Sequence, residues 1–315
     1  MRVLITGGAG FIGSHLADRL LARGDRVLVI DNYATAGRNN LEPHDRLEVK
    51  EVTIADLAQM EPLFDSFRPD QVVHAAASYK DPENWTEDIL TNVVGTANLV
   101  QAAKRRGVSR FIYFQTSLCY GLKPQEQPVT LSHPLRPEKS SYAISKTAGE
   151  HYLRLSGLDW LSFRLANVYG PRNLSGPLPT FHQRLTANRP CFVTDSRRDF
   201  IFIDDVVEVV LMALDGKGAS GAYHLSSGTD ISIKELFDAV VAALDIQPRP
   251  EVEVRPRNPD DAYTILLDPS QTKAQFGWQT KTPLETGVAR AVAWYRRFGV
   301  EQTFTHLKMA EGKKR

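Results

Sequence analysis

Val3-Leu-Ile-Thr-Gly7-Gly-Ala-Gly10-Phe-Ile-Gly13 is the stretch on which the fold turns. Val3–Thr6 is short, apolar and partly β-branched, the texture of a buried strand. Gly7, Gly10 and Gly13 follow at three-residue spacing, and a helical pattern opens behind them. Glycines so placed let the backbone approach a pyrophosphate and let the helix pack closely on the strand. The helix N-terminus then offers amide donors and a partial positive charge. A merely structural glycine turn is the competing reading.

Beyond this turn, Asp31 ends the next apolar run, Arg26–Ile30. A carboxylate there accepts hydrogen bonds from adenosine ribose hydroxyls and repels a 2′-phosphate, so NAD is expected rather than NADP. Arg38 stands nearby and leaves the phosphorylated form as an alternative. Further strands are expected at Leu47–Val49, Gln71–His74, Phe111–Thr116 and Trp160–Arg164, with helices at Ser14–Ala22, Asn92–Arg106 and Tyr142–Ser156. Strands alternating with helices imply right-handed crossovers. The expected class is α/β, a Rossmann-like doubly wound parallel sheet.

After Asn167 the texture changes. Gly170, Pro171, Gly176, Pro177 and Pro179 mark a loop-rich excursion. Asp204 and Asp205 are read as caps of a helix ending near Leu214, and Gly221–Leu225 as a strand. Ser232 and Glu235 form a capping box, and Thr282-Pro283-Leu-Glu285 repeats the start signal before a helix ending near Phe298. The expected division is an NAD-binding domain over 1–168, rejoined by about 203–228. Residues 169–202 and 229–315 would form a smaller, interleaved C-terminal substrate-binding subdomain.

The 315 residues are 42% hydrophobic and 24% charged, with a formal net charge of +1. That size can bury a core without disulfides or metals. The charge gives no reason to expect nucleic acid as a partner. Cys119 and Cys191 make no disulfide framework, and no Cys/His spacing suggests a metal. No signal peptide is expected ahead of the first strand, and no apolar run reaches the ~18 residues of a membrane helix. The expectation is a cytoplasmic protein with no membrane insertion.

Ser141-Tyr142-Ala-Ile-Ser-Lys146 places tyrosine and lysine four residues apart, on one face of a helix. A tyrosine near pKa ~10 is a poor base at neutral pH. An ammonium beside it, with a nicotinamide's positive charge close by, favours the phenolate. Thr116 ends an expected parallel strand, at the edge where ligands sit in such sheets. Its hydroxyl can bridge a sugar hydroxyl and the phenolate.

These residues resemble the nucleotide-sugar epimerase/dehydratase family of extended short-chain dehydrogenases. Val73-His74-Ala-Ala-Ala77, Asn92-Val-Val-Gly95-Thr96, Arg164-Leu-Ala-Asn167-Val-Tyr-Gly170-Pro171 and Arg198-Asp199-Phe200-Ile-Phe-Ile-Asp204-Asp205 are similar to further family signatures. Tyr79-Lys80-Asp81-Pro82, Gln115–Gly121 and Ser145–Glu150 resemble members from bacterial O-antigen pathways. The resemblance implies a cofactor site of Gly7, Gly10, Phe11, Ile12, Gly13, Asp31, Asn32, Thr35 and Arg38. Thr53, Ile54, Ala75, Ala76, Ala77 and Asn92 complete it, with Thr116, Tyr142 and Lys146 as the catalytic group. Lys80, Ser117, Tyr142, Asn167, Arg198 and Arg257 would hold a nucleoside-diphosphate sugar. Arg255 is the alternative to Arg257. A homodimer through a four-helix bundle is also implied.

Members of the family differ in the residues just after the threonine. Dehydratases need an acid and a base there, and decarboxylases a glutamate; this chain has Ser117 and Leu118. The expected reaction is therefore epimerisation, at C4 of a nucleotide sugar or uronic acid through a transient 4-keto sugar, in surface-polysaccharide or nucleotide-sugar synthesis. A C5-epimerase, an NAD(P)H-dependent keto-sugar reductase and a non-catalytic NAD sensor are the rivals. Cys119 is read as buried and inert, against a catalytic cysteine. Lys80 is either a solvated loop lysine or one that holds a sugar carboxylate or diphosphate, or moves a proton at C5.

Overall fold

The computed structural model describes residues 1–79, 81–258 and 261–304. Its first half runs β1 (Arg2–Thr6), α1 (Phe11–Arg23), β2 (Arg26–Asp31), β3 (Leu47–Glu51), α2 (Leu57–Phe67) and β4 (Gln71–His74). Then come α3 (Trp85–Asp88), a π-helical turn (Ile89–Gly95), α4 (Thr96–Arg105), β5 (Arg110–Thr116), a 3-10 turn (Ser117–Tyr120), α5 (Ser141–Leu155) and β6 (Trp160–Leu165). The second half holds β7 (Asn167–Tyr169), α6 (Pro177–Thr186), β8 (Phe192–Thr194), β9 (Arg197–Arg198), β10 (Phe200–Phe202), α7 (Ile203–Leu214) and β11 (Gly221–Leu225). It ends with β12 (Ile231–Ser232), α8 (Ile233–Leu244), β13 (Glu253–Arg255), α9 (Ser270–Phe276) and α10 (Leu284–Phe298).

Seven strands form one parallel sheet in the order β11-β6-β5-β4-β1-β2-β3. This is the expected doubly wound α/β class. Alternation along the strands splits the core in two. Val3, Ile5, Val27 and Val29 face Leu16 and Leu20 of α1. Leu4, Leu28 and Ile30 face Met60 and Phe64 of α2 and Leu99 of α4. Each such side chain contributes about 1.5–3 kcal/mol when fully buried. The chain reverses direction across the sheet between β1 and β4, which opens a crevice at the strand ends carrying Thr6 and His74.

Several boundaries differ from the sequence reading. The helix expected from Asn92 begins at Trp85, because Asn84 accepts a hydrogen bond from the Glu87 amide at 3.2 Å. Asp204 and Asp205 do not cap α7; they lie inside its first turn, and Asp205 accepts from the Lys281 and Thr282 amides instead. Pro283 is the residue before α10, and no side chain caps that helix. The capping box at Ser232 and Glu235 is present in full. The stretch read as loop around Gly176 and Pro179 contains α6, with Pro177 at its start.

Candidate active site

The glycine turn is built by close approach. Gly7 has φ +64°, and a Cβ there would stand 2.6 Å from the Ala76 backbone. A Cβ on Gly13 would stand 2.3 Å from the Gly7 carbonyl oxygen and 2.6 Å from the Gly8 Cα. No side chain caps α1 at Gly10 and no acidic residue lies in its first turn. The amides at that terminus therefore keep their affinity for an anion. Asp31 accepts from the Ala9 amide at 2.9 Å and the Tyr33 amide at 2.8 Å. Burial pushes its carboxyl up, against the pull of those amides. Asn40, missed in the sequence, braces the turn by donating to the Ala9 carbonyl at 2.9 Å. A dinucleotide fits this cradle: bare amides for its pyrophosphate and a fixed carboxylate for its ribose.

A cleft of about 1500 Å³ runs from this turn to the second half of the chain. Single-ligand pockets span roughly 300–1,000 Å³, so two ligands can lie end to end. Gly7, Gly10, Phe11, Ile12, Gly13, Asp31, Asn32, Thr35, Thr53, Ile54 and Ala75–Ala77 line one end. Thr116, Ser117 and Tyr142 line the middle, and Asn167 and Arg198 the far end. Arg198 is held by the Asp261 carboxylate and donates to the Ala262 carbonyl at 2.9 Å. Phe192, Thr194 and Ser196 share that end, and no sequence signal marked them.

Four residues expected as contacts lie off the cleft. Arg38 does not line the cleft; it pairs with Glu51 at 2.8 Å and lies over the Tyr33 ring. Arg257 pairs with Asp195 at 3.0 Å and also lies off the cleft, as does Arg255, which pairs with Glu253 and stacks on Phe192. Both arginines follow local carboxylates. Asn92 is fully buried behind the wall. It accepts the Ser78 amide at 2.9 Å and donates to the Ser78 carbonyl and the Ser145 hydroxyl, each at 3.0 Å. Lys80 falls outside the described residues.

Lys146 also lies beneath the wall rather than on it. It is 2% exposed, and its ammonium stands 4.1 Å from the centre of the Tyr113 ring. Burial lowers its pKa to about 7, with Glu150 acting the other way. Glu150 is itself engaged by Arg164 at 2.6 Å and by the Ser162 hydroxyl at 2.6 Å. The Tyr142 phenol is pushed well above its usual value by burial, then by Tyr79 and Asp88. In this state the tyrosine holds its proton. The Thr116 hydroxyl accepts from the Leu118 amide at 3.2 Å and so starts the 3-10 turn. That turn carries Cys119 into the core, where burial raises its thiol. The buried, inert reading of Cys119 fits that position.

The two ends of the cleft are latched together. Arg172 donates to the Ser14 hydroxyl at 3.2 Å and pairs with Asp18 at 2.8 Å, both on α1. His15 of the same helix contacts the Pro171 carbonyl at 3.0 Å.

Residues 3–225 match the family model described as NAD dependent epimerase/dehydratase family. A UDP-glucose 4-epimerase of Mycolicibacterium smegmatis is 33% identical, over 94% of this chain and 99% of that enzyme. The Bordetella bronchiseptica enzyme WbmH, solved with NAD+, is 56% identical with a TM-score of 0.92, covering 95% of this chain and 99% of that one. WbmG of the same organism, solved with NAD and UDP, is 43% identical with a TM-score of 0.89, covering 97% of each chain. On the fold, the glycine cradle and these matches, the chain belongs to the NAD-dependent epimerase/dehydratase family.

Proposed function

We propose that this NAD-dependent nucleotide-sugar epimerase inverts C4 of a UDP-sugar, with Tyr142 as the acid–base group. One observation carries the reading: Tyr142 and Thr116 lie midway along a single cleft, between the glycine turn at one end and Arg198 at the other. NAD, when bound, supplies the acceptor and donor of the hydride exchanged at C4. Tyr142 takes the proton of the C4 hydroxyl and later returns it to the C4 oxygen, once the keto sugar has turned its other face to the cofactor site. Thr116 steadies that hydroxyl through its own. Lys146, from beneath, favours the phenolate while it carries its proton. Asn167 and Arg198 hold the diphosphate, a guanidinium being well matched to phosphate oxygens. Ser117 and Leu118 place no acid or base beside C5 or C6, which disfavours dehydration and decarboxylation.

Residues 1–168 with about 203–228 form the cofactor domain in this reading, and the remainder the substrate subdomain. A cytoplasmic role in surface-polysaccharide or nucleotide-sugar synthesis fits the likeness to WbmG and WbmH. No described helix is long and apolar enough to cross a membrane. Ile89, Leu90, Val94, Ile144, Tyr152 and Leu155 are large apolar residues exposed on the π-helical turn and α5. They support a homodimer through a four-helix bundle, since such a patch favours burial against a second copy.

Incubation with UDP-, GDP-, CDP- and dTDP-sugars in deuterated water, followed by NMR, tests the proposal. C4 inversion of a UDP-sugar without deuterium uptake is the expected result, with stoichiometric NAD released on denaturation. Deuterium at C5, or net consumption of reduced cofactor, refutes it.

A further inference from the structure

Tyr113 lies inside β5, three residues before Thr116, and the steps above leave it unused. It is fully buried. Two contacts tie it to Lys146. The ammonium stands 4.1 Å from the centre of the Tyr113 ring, and the Tyr113 hydroxyl donates to the Lys146 carbonyl at 2.8 Å. That hydroxyl needs room against α5. Gly149 leaves it, since a Cβ there would stand 2.7 Å from the Tyr113 oxygen. The ring is thereby fixed to the turn of α5 that carries the lysine.

The contact meets a problem of charge. A buried ammonium is costly unless an opposite charge or dipole faces it. Among the described residues no carboxylate forms an ion pair with Lys146; Glu150, one turn along α5, is held by Arg164 at 2.6 Å. The negative face of the Tyr113 ring takes that place, and such a contact strengthens when water is excluded. His74 of β4 flanks the ring at 5.4 Å. Its two nitrogens are bonded, to the Thr6 hydroxyl at 2.7 Å and the Thr96 hydroxyl at 2.8 Å, and burial holds it well below the usual histidine range. Tyr142, Glu150 and Cys119 are the other titratable groups facing the ring. Burial brings Lys146 to about 7, so a few-fold change in its hold on the proton decides its charge at neutral pH.

We propose that Tyr113 is a positioning residue for the redox chemistry: its ring keeps the Lys146 ammonium charged beneath the cleft wall, and its hydroxyl locks that ring to the turn carrying the lysine. Tyr113 acts only through Lys146, so the proposal rests on the role given to Lys146 above.

Three changes at this position separate the charge of the ring face from its shape. Tyr113→Phe keeps the ring. The same phenylalanine with a fluorinated ring keeps the shape and removes the negative face. Tyr113→Leu removes the ring. Two readouts apply to the NAD-loaded proteins. One is the Lys146 titration, followed by NMR of isotope-labelled lysines and assigned by its loss in Lys146→Met. The other is kcat and KM against pH for the UDP-sugar that is turned over. The fluorinated ring and the leucine are expected to move the Lys146 midpoint down by roughly half to one and a half pH units. They should lower kcat at neutral pH roughly three- to thirtyfold, with KM unchanged. The loss should shrink as pH falls, where the lysine is charged in every variant. Tyr113→Phe should keep both values near those of the parent. An unmoved midpoint with the fluorinated ring overturns the proposal, as does a loss of kcat equally large in Tyr113→Phe. Should the leucine variant fail to fold, the fluorinated ring alone decides. Full turnover in Lys146→Met would instead overturn the role given to Lys146 above.

Discussion

Lys146→Met separates what the buried lysine does for chemistry from what it costs the fold. The unfolded chain keeps the Lys146 proton to about pH 10.5, whereas the folded chain releases it near pH 7. Between those values the unfolded state binds more protons, so stability rises with pH across that window and its gain is lost as pH falls through about 7. The full difference corresponds to at most about 5 kcal/mol at roughly 1.4 kcal/mol per pH unit. The Tyr113 ring and Glu150 already offset part of the burial cost. Methionine has similar length and no charge, so the variant should be more stable than the parent at pH 6 and equal to it near pH 10. Thermal or urea unfolding of cofactor-stripped protein at several pH values measures this. Turnover should fall by roughly 10²–10⁴-fold at the same time, since the phenolate loses its cation. Parallel stability–pH curves for the two proteins would refute the burial argument.

Gly13→Ala forces the start of α1 away from the Gly7 carbonyl by about 1 Å, against helix packing that resists such shifts at roughly 1–3 kcal/mol. Bound NAD, assayed after denaturation, should drop to a small fraction of stoichiometric. Arg198→Lys keeps the charge but loses the planar fork, and KM for a UDP-sugar should rise about tenfold or more with little change in kcat. Leu155→Glu, at a position 80% exposed, should yield monomer in sedimentation at micromolar concentration with an intact fold.

The sheet was legible because its strands are short apolar runs between polar turns; β4 spans Gln71–His74 in both the sequence reading and the structure. Helix starts were less legible. The Gly176-Pro177 pair signals a helix as well as a loop, and neighbouring prolines hid that second meaning. The cofactor end of the cleft was read from its glycines, since backbone approach leaves a mark in sequence. Arg38 and Arg257 lie off the cleft because a long side chain follows whichever carboxylate folding brings near, here Glu51 and Asp195. Asn40 had no periodic or motif signal. Its bond to the Ala9 carbonyl depends on two segments meeting, which is visible only in three dimensions.

The latch between Arg172, Ser14 and Asp18 joins two parts of the cleft wall that sequence keeps far apart. The helix that opens at the glycine turn is anchored at its flank to the chain entering the far end of the cleft. Any effect that one ligand has on the affinity for the other must be matched in reverse by the same factor, because such coupling is reciprocal. Replacing Arg172 therefore disturbs both ends of the cleft at once, although the residue belongs to only one of them.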